Sequence, residues 1–175
     1  MSAIDMTEVS ADELMASLQA FGELLHACVL DGASVGFVLP FAPADAEAYW
    51  RRKVLPAAVS GGLVLLAARS GDRIVGTVQL DHDMMPNQCH RADVKKLLVH
   101  PDFRRRGIAR ALMLEVEARA RGLGRQILVL DTRTGDSAEP LYRSLGYETA
   151  GIIPDYCRDT LSPRLDATTV MYKRL

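Results

Sequence analysis

The sequence predicts a mixed α/β fold, one sheet with helices packed against it. Three observations carry this. Apolar residues recur every three or four positions between Ala11 and Leu30, two β-rich runs flank a tight turn at residues 70–72, and strand and helix patterns alternate from Ala92 onward. A chain of 175 residues, 49% apolar and 25% charged, has the size and composition of one globular unit, so a single domain spanning 1–175 is expected.

Met1 to Val9 can hold a short first strand. From Ala11 to Leu30, the residues Leu14, Leu18, Phe21, Leu25 and Val29 share one helical face. Ser10 is placed to cap that helix, Glu13 completes a capping-box pattern, and Asp31-Gly32 ends it. Gly32 to Pro43 reads as a loop, unusually apolar in Val35, Phe37, Val38, Leu39 and Phe41. A second helix is expected over Ala44–Ser60, kinked at Pro56 and closed by Gly61-Gly62. Leu63–Arg69 and Arg73–Asp81 form a hairpin about Ser70-Gly71-Asp72. Ala92–His100 is a strand, and Gly107–Arg121 is a helix with Ile108, Leu112 and Val116 at steps of four. A short strand at Gln126–Leu130, a short helix at Ser137–Leu145 and strands about Tyr147–Ile153 and Thr168–Lys173 complete the order.

The formal net charge is −1, so no global field attracts nucleic acid or an anionic membrane, and any anion site is local. Cys28, Cys89 and Cys157 are odd in number, widely spaced and without a C-x-x-C pair, which fits idle thiols in a reducing compartment better than disulfides or a metal site. The start, Met1 to Glu8, lacks the basic and apolar runs of a secretory signal, and Leu63–Ala68 is too short to span a membrane. A cytoplasmic protein without metal, nucleic-acid or membrane partners is expected.

The segment Val99-His100-Pro101-Asp102-Phe103-Arg104-Arg105-Arg106-Gly107-Ile108-Ala109 sits between a strand and a helix. A helix start leaves N–H groups unpaired with a partial positive charge behind them. Gly107 permits close backbone approach, small Ala109 avoids crowding a phosphate, and the arginines add charge-assisted hydrogen bonds. The segment has neither the Gly-Lys-Ser/Thr of a Walker loop nor the three glycines of a dinucleotide fingerprint.

In this setting the segment resembles the acetyl-CoA motif of the GNAT superfamily of acetyltransferases, a strand ending Leu-Leu-Val-His-Pro followed by Arg/Gln-x-x-Gly-x-Gly/Ala at a helix start. The resemblance implies a mostly antiparallel sheet with a central parallel strand pair, flanked by helices. It implies acetyl-CoA as co-substrate and no metal. Arg104, Arg105, Arg106, Gly107, Ile108 and Ala109 would hold the CoA pyrophosphate, and Leu98 and Val99 would pair with the pantetheine arm. Ala109 replaces the commoner glycine.

Asp131 to Tyr147 resembles the second hallmark, a strand followed by a helix bearing Leu-Tyr-x-x-x-Gly-Tyr/Phe, here Leu141-Tyr142 and Gly146-Tyr147. The family often has Asn where this chain has Gly135, so Asp136 or Ser137 is expected to cap the helix. Acetyl transfer expels a thiolate, and a phenol O–H can protonate it, which makes Tyr142 the candidate acid. The acceptor amine, with a pKa of ~10, must lose a proton, and Asp93 and Asp131 are the alternative bases. Asp93 stands where relatives carry a longer Glu, which favours a bridging water. No Gly-x-Ser-x-Gly elbow is present, so direct attack by the amine is expected.

Further stretches resemble the tabtoxin-resistance acetyltransferases within the superfamily: Gly32–Phe37, Arg91–Leu97, Leu130–Thr132, Gly151–Cys157 and Leu165–Lys173. That resemblance implies a primary amine on a small, amino-acid-like molecule, with toxins and antibiotics in its range, and Ser34, Phe37 and Tyr156 lining the acceptor pocket. The apolar loop either walls that pocket or anchors itself to the core. Acetylation of protein lysines or N-termini, and acyl-CoA sensing without turnover, are the alternatives. A monomer or homodimer is expected.

Overall fold

In the computed structural model, which describes residues 4–175, seven strands make one sheet: β1 (Ile4–Glu8), β2 (Leu63–Ser70), β3 (Arg73–Asp81), β4 (Arg91–Val99), β5 (Ile127–Arg133), β6 (Glu148–Arg158) and β7 (Leu165–Arg174). Their order across the sheet is β1-β2-β3-β4-β5-β7-β6. Every junction is antiparallel except β4–β5, which is parallel, as the resemblance implied.

The helices divide between the two faces. α1 (Ala11–Ala16), α2 (Leu18–Leu30), α3 (Pro43–Tyr49) and α4 (Leu55–Val59) pack on one side, while α5 (Ile108–Gly122) and α6 (Ala138–Ser144) pack on the other. Strand alternation sorts the core: Leu65 and Ala67 join the α1–α4 layer, and Leu66 and Ala68 join the α5 layer. On the α5 side Gly76 makes close approach possible. A Cβ there would sit 3.0 Å from Ile108 Cγ2 and 3.1 Å from Leu112 Cδ1. The first two turns of α5 are thereby seated on β3.

Each of the two expected N-terminal helices is interrupted. Ser10 caps α1 as expected, accepting from Glu13 N–H at 3.2 Å. The helix then opens at Ser17, whose N–H turns back to the Leu14 carbonyl at 3.1 Å, and both Leu14 and Leu18 remain buried. The second helix widens into a π turn at Trp50–Val54, where Leu55 N–H reaches the Trp50 carbonyl. Pro56 has no N–H to give the preceding turn and its ring crowds the carbonyl four residues back, so the widening falls just before it.

The strands also differ from expectation. β6 and β7 run well beyond Ile153 and Thr168 as one long hairpin. Pro154 is tolerated inside β6 because that strand is the sheet edge. β4 contains a bulge: Thr77 opposes Leu98 and Gln79 opposes Lys95, so the extra residue falls at Lys96 and Leu97, and Lys96 takes a φ of 51°. No helix of the described residues is long and apolar enough to cross a membrane.

A buried ion pair fastens α5 to β7. Lys173 Nζ donates to Glu117 Oε2 at 2.6 Å, with side-chain exposures of 17% and 3%. Removing one partner of such a pair strands the other charge in the interior. Lys173→Met is therefore expected to cost about 3 kcal/mol and to lower the melting temperature by roughly 10 °C. A loss below about 1 kcal/mol in chemical denaturation would show that Arg121, 3.9 Å from the same carboxylate oxygen, supports Glu117 alone.

Candidate active site between two parted strands

β4 and β5 pair only over Arg91–Asp93 and Ile127–Val129, although β4 continues to Val99 and β5 to Arg133. A bulge bends its strand and increases its twist, and the one at Lys96 turns β4 away from its neighbour. The parted strands border a cleft of about 830 Å³ at their C-terminal ends. This is where ligands enter open α/β sheets, because strand pairing lapses there and helix starts converge.

One wall is the loop into α5. Arg105 and Gly107 have positive φ, 61° and 79°, and together they swing the chain into the helix. The N–H groups of Gly107, Ile108, Ala109 and Arg110 have no protein acceptor among the described residues; the first helical bond is Ala111 N–H to Gly107 O at 3.0 Å. A row of free donors at a helix start is an anion site. Nothing lies within 4 Å of where a Cβ on Gly107 would stand, so the approach is open. Arg104 and Arg105 line the cleft beside it, Arg104 ion-paired with Asp31. Arg110 donates to Ser144 Oγ at 2.6 Å, tying this wall to α6.

The facing wall comes from β5 and α6. Asp131 lines the cleft, and the Thr168 hydroxyl, 3.1 Å from its Oδ2 and 3.0 Å from the Thr132 carbonyl, shares one proton between them. Tyr142 also lines the cleft and is 7% exposed, and its hydroxyl has no hydrogen-bond partner among the described residues. Burial, followed by the charges of Asp136 and Asp131, pushes the phenol well above its ordinary range, so it remains a neutral O–H donor. The turn into α6 is not capped as expected. Ser137 makes no side-chain cap bond, and Glu139 instead reaches back to accept from Gly135 N–H at 2.8 Å.

The third wall is the loop after α2. Leu39 N–H donates to the Thr160 carbonyl at 3.0 Å and the Thr160 hydroxyl donates to the Ala33 carbonyl at 2.9 Å, pinning the loop to the β6–β7 turn. Its two sides do different work. Ser34, Val35 and Gly36 line the cleft, whereas Phe37 and Phe41, with centroids 4.6 Å apart, anchor the loop to the α1–α4 core.

Of the residues singled out in the sequence, Ser34, Leu98, Val99, Arg104, Arg105, Gly107, Ile108, Ala109, Asp131, Tyr142 and Tyr156 all border the cleft. Phe37, Asp93 and Arg106 stand outside its lining. Phe37 packs edge-on against Tyr49, with centroids 5.4 Å apart. Asp93 is ion-paired with Arg91 on the same strand. Arg106 donates to the Asp102 carbonyl at 2.8 Å and lies over the Phe103 ring at 4.8 Å. Cleft residues not assigned a site role from the sequence include Cys28, Asp31, Lys96 and Arg110. Only Lys96 left a trace: strand alternation would place it beside Ala92, Val94 and Leu98, an apolar row that cannot take an ammonium.

A family model described as an acetyltransferase (GNAT) domain matches residues 60–149, half of the chain. Among solved structures, a candidate acetyltransferase from Salmonella typhimurium, solved with its cofactor acetyl-CoA, is 18% identical with a TM-score of 0.77, covering 99% of this chain and 94% of that one. A ribosomal-protein-alanine N-acetyltransferase from Brucella melitensis is 21% identical with a TM-score of 0.76, over 98% of this chain and 99% of its own. A candidate phosphinothricin N-acetyltransferase is 14% identical with a TM-score of 0.78, over 99% of both chains. At these identities the likeness is one of fold.

Two of the chain's three thiols, Cys28 in the cleft and Cys89 before β4, differ in expected reactivity. Burial pushes the Cys28 thiol up to about 11, and Arg104 only partly opposes it. At pH 7.5 its thiolate fraction is on the order of 0.03%. Alkylation at that pH should therefore modify exposed Cys89 and spare Cys28, read by peptide mass mapping. Equal labelling of the two would refute the burial argument.

Proposed function

The chain belongs to the GNAT family of acetyltransferases and is an acetyl-CoA-dependent acyltransferase, and from that premise we propose that residues 1–175 act as one N-acetyltransferase domain whose acceptor is a primary amine on a small, amino-acid-like molecule. Toxins and antibiotics of that build fall in the same class. The observation that carries the reading is the walled cleft between the parted strands, with free N–H donors on one wall and Asp131 and Tyr142 on another.

The residues fit a diphosphate-bearing thioester. The N–H groups of Gly107 to Arg110, with Arg104 and Arg105, would hold the diphosphate, and the backbone of Leu98 and Val99 would border the pantetheine arm. When bound, acetyl-CoA supplies the acetyl group as an activated thioester. Asp131 accepts the proton that the acceptor ammonium must lose, and the Thr168 hydroxyl holds its carboxylate in place. Tyr142 keeps its proton on the phenol oxygen, available to a departing sulfur. Asp93, ion-paired to Arg91 and outside the lining, acts at most through water. Direct attack is favoured because, of the two thiols in the cleft, buried Cys28 is held up to about 11 and Cys157 has only the Ser34 hydroxyl and the Asp166 carbonyl beside it, with no histidine partner.

A small acceptor is favoured by the loop at residues 32–41. Its anchors at Ala33 and Leu39 make it a fixed wall, where a polypeptide acceptor needs an open groove. Ser34 and Tyr156, in two of the stretches that resemble the tabtoxin-resistance group, both line the cleft, with Ser34 Oγ 3.7 Å from Cys157 Sγ. The test is release of free thiol from acetyl-CoA with amino acids, aminoglycosides, polyamines and peptides. Amino-acid-like amines should turn over, and Asp131→Asn should lower kcat by about 10²-fold, with Asp93→Asn affecting it less. Acetylation of peptides alone would overturn the acceptor class, and tight acetyl-CoA binding without turnover would favour a sensor.

A further inference from the structure

We propose that Lys96 receives a carboxylate of the acceptor, so that the amines this protein acetylates most efficiently carry a carboxylate close to the amine. The inference rests on the small-amine reading above and narrows it.

Lys96 owes its position to the bulge. Ala92 and Val94 face α5, and after the extra residue Leu97 and Val99 resume that face while Leu98 joins the opposite core. Lys96 itself, at a φ of 51°, is delivered to the α3 side of the sheet, its Nζ 5.9 Å and 5.6 Å from the ring centroids of Phe37 and Tyr49. The Thr77 hydroxyl sits 3.4 Å from the Lys96 carbonyl on the neighbouring strand. Gly36, at a φ of 92°, brings the loop backbone alongside the amine, a Cβ there standing 3.7 Å from Nζ in ordinary contact.

This ammonium lacks a partner. Among the described residues no carboxylate lies within 4.0 Å of it and none of its three N–H groups makes a hydrogen bond, whereas neighbouring Lys95 is paired with Asp81 at 2.7 Å. Aromatic faces offset part of the cost of burying a cation but satisfy no donor. Burial holds the Lys96 amine below its usual range, and the one attractive charge acting on it, Asp131, is too distant to form an ion pair. A half-buried cation that borders a ligand cleft and has no protein anion is complementary to an anion on the ligand. Asp131 on the facing strand draws the acceptor's ammonium, so the cleft presents one charge of each sign, the pattern of a zwitterion.

The alternative for such a lysine is a neutral amine acting as base, and the two predict different kinetics. The experiment compares an α-amino acid with the amine that lacks only its carboxylate, using the full-length wild type, Lys96→Met and Lys96→Arg. Melting temperature and calorimetric acetyl-CoA affinity report that each variant is folded. The wild type should prefer the amino acid. Lys96→Met should raise KM for it by about 10- to 100-fold, the range of a charge-assisted hydrogen bond, and affect the decarboxylated amine far less. Lys96→Arg, which keeps the charge, should recover much of the loss. A fall in kcat of equal size for both acceptors would assign Lys96 as base and overturn the proposal, as would a wild-type preference for the decarboxylated amine. If Lys96→Met does not fold, the wild-type preference and the Lys96→Arg kinetics decide. Turnover of neither acceptor, nor of any other small amine, defeats the small-amine reading itself, and the inference with it.

Discussion

Two strands in the middle of a sheet that stop pairing leave backbone donors and acceptors with no partner, and this constraint organises the molecule. The sheet withstands the gap because each parted strand is held along its outer side. β5 is paired with β7 over its whole length, and β4 is paired with β3 on both sides of the bulge. The unpaired inner edges must then be satisfied by something that is not sheet, water or ligand backbone. A fold that opened there without such flanks would expose a template for strand addition. Here the opening is walled by α5, α6 and the loop after α2.

Charge is arranged to match. With a net charge of −1 the protein has no long-range preference, and selectivity arises within the cleft. Cations gather at the start of α5, and Asp131 stands on the far strand. Nearby, Arg133 bonds Asp136 at 3.1 Å and Asp159 at 3.2 Å, and Arg164 bonds Asp166 at 2.8 Å. That network joins the end of β5 to the turn before α6 and to the β6–β7 turn. Separated elements carrying Asp131, Tyr142 and Tyr156 are thus fixed relative to one another. On the proposed roles of Asp131 and Tyr142, this places the groups before substrate arrives, where much of an enzyme's rate originates.

What could be read from the sequence was whatever depends on local chemistry. Apolar and β-rich patterns located the strands and the main helical stretches, and the loop at Arg104–Ala109 was recognisable because a glycine, a small residue and arginines stand at a helix start directly after a strand ending Leu-Leu-Val-His-Pro. What depends on side-chain direction was not legible. Arg106 belongs to the same motif, yet a positive φ on each side of it turns it onto Phe103. Asp93 precedes the bulge and keeps company with Arg91. Phe37 was correctly seen as an apolar loop residue, but an apolar loop has two sides, and only packing decides which one faces the core. The helix breaks at Ser17 and Trp50–Val54 cost no apolar contact that periodicity could register.

The bulge accounts both for the cleft and for the lysine inside it. An ideal β4 would place Lys96 in the apolar row with Ala92, Val94 and Leu98 under α5, where an ammonium has no solvation and no partner. An ideal β4 would also continue pairing with β5 beyond Asp93, and there would be no cleft. One extra residue resolves both: it rotates Lys96 out of the α5 core and bends the strand off its neighbour. The residue whose polarity makes a regular strand untenable is therefore the one that comes to stand, charged and without a protein partner, in the space its own irregularity opens.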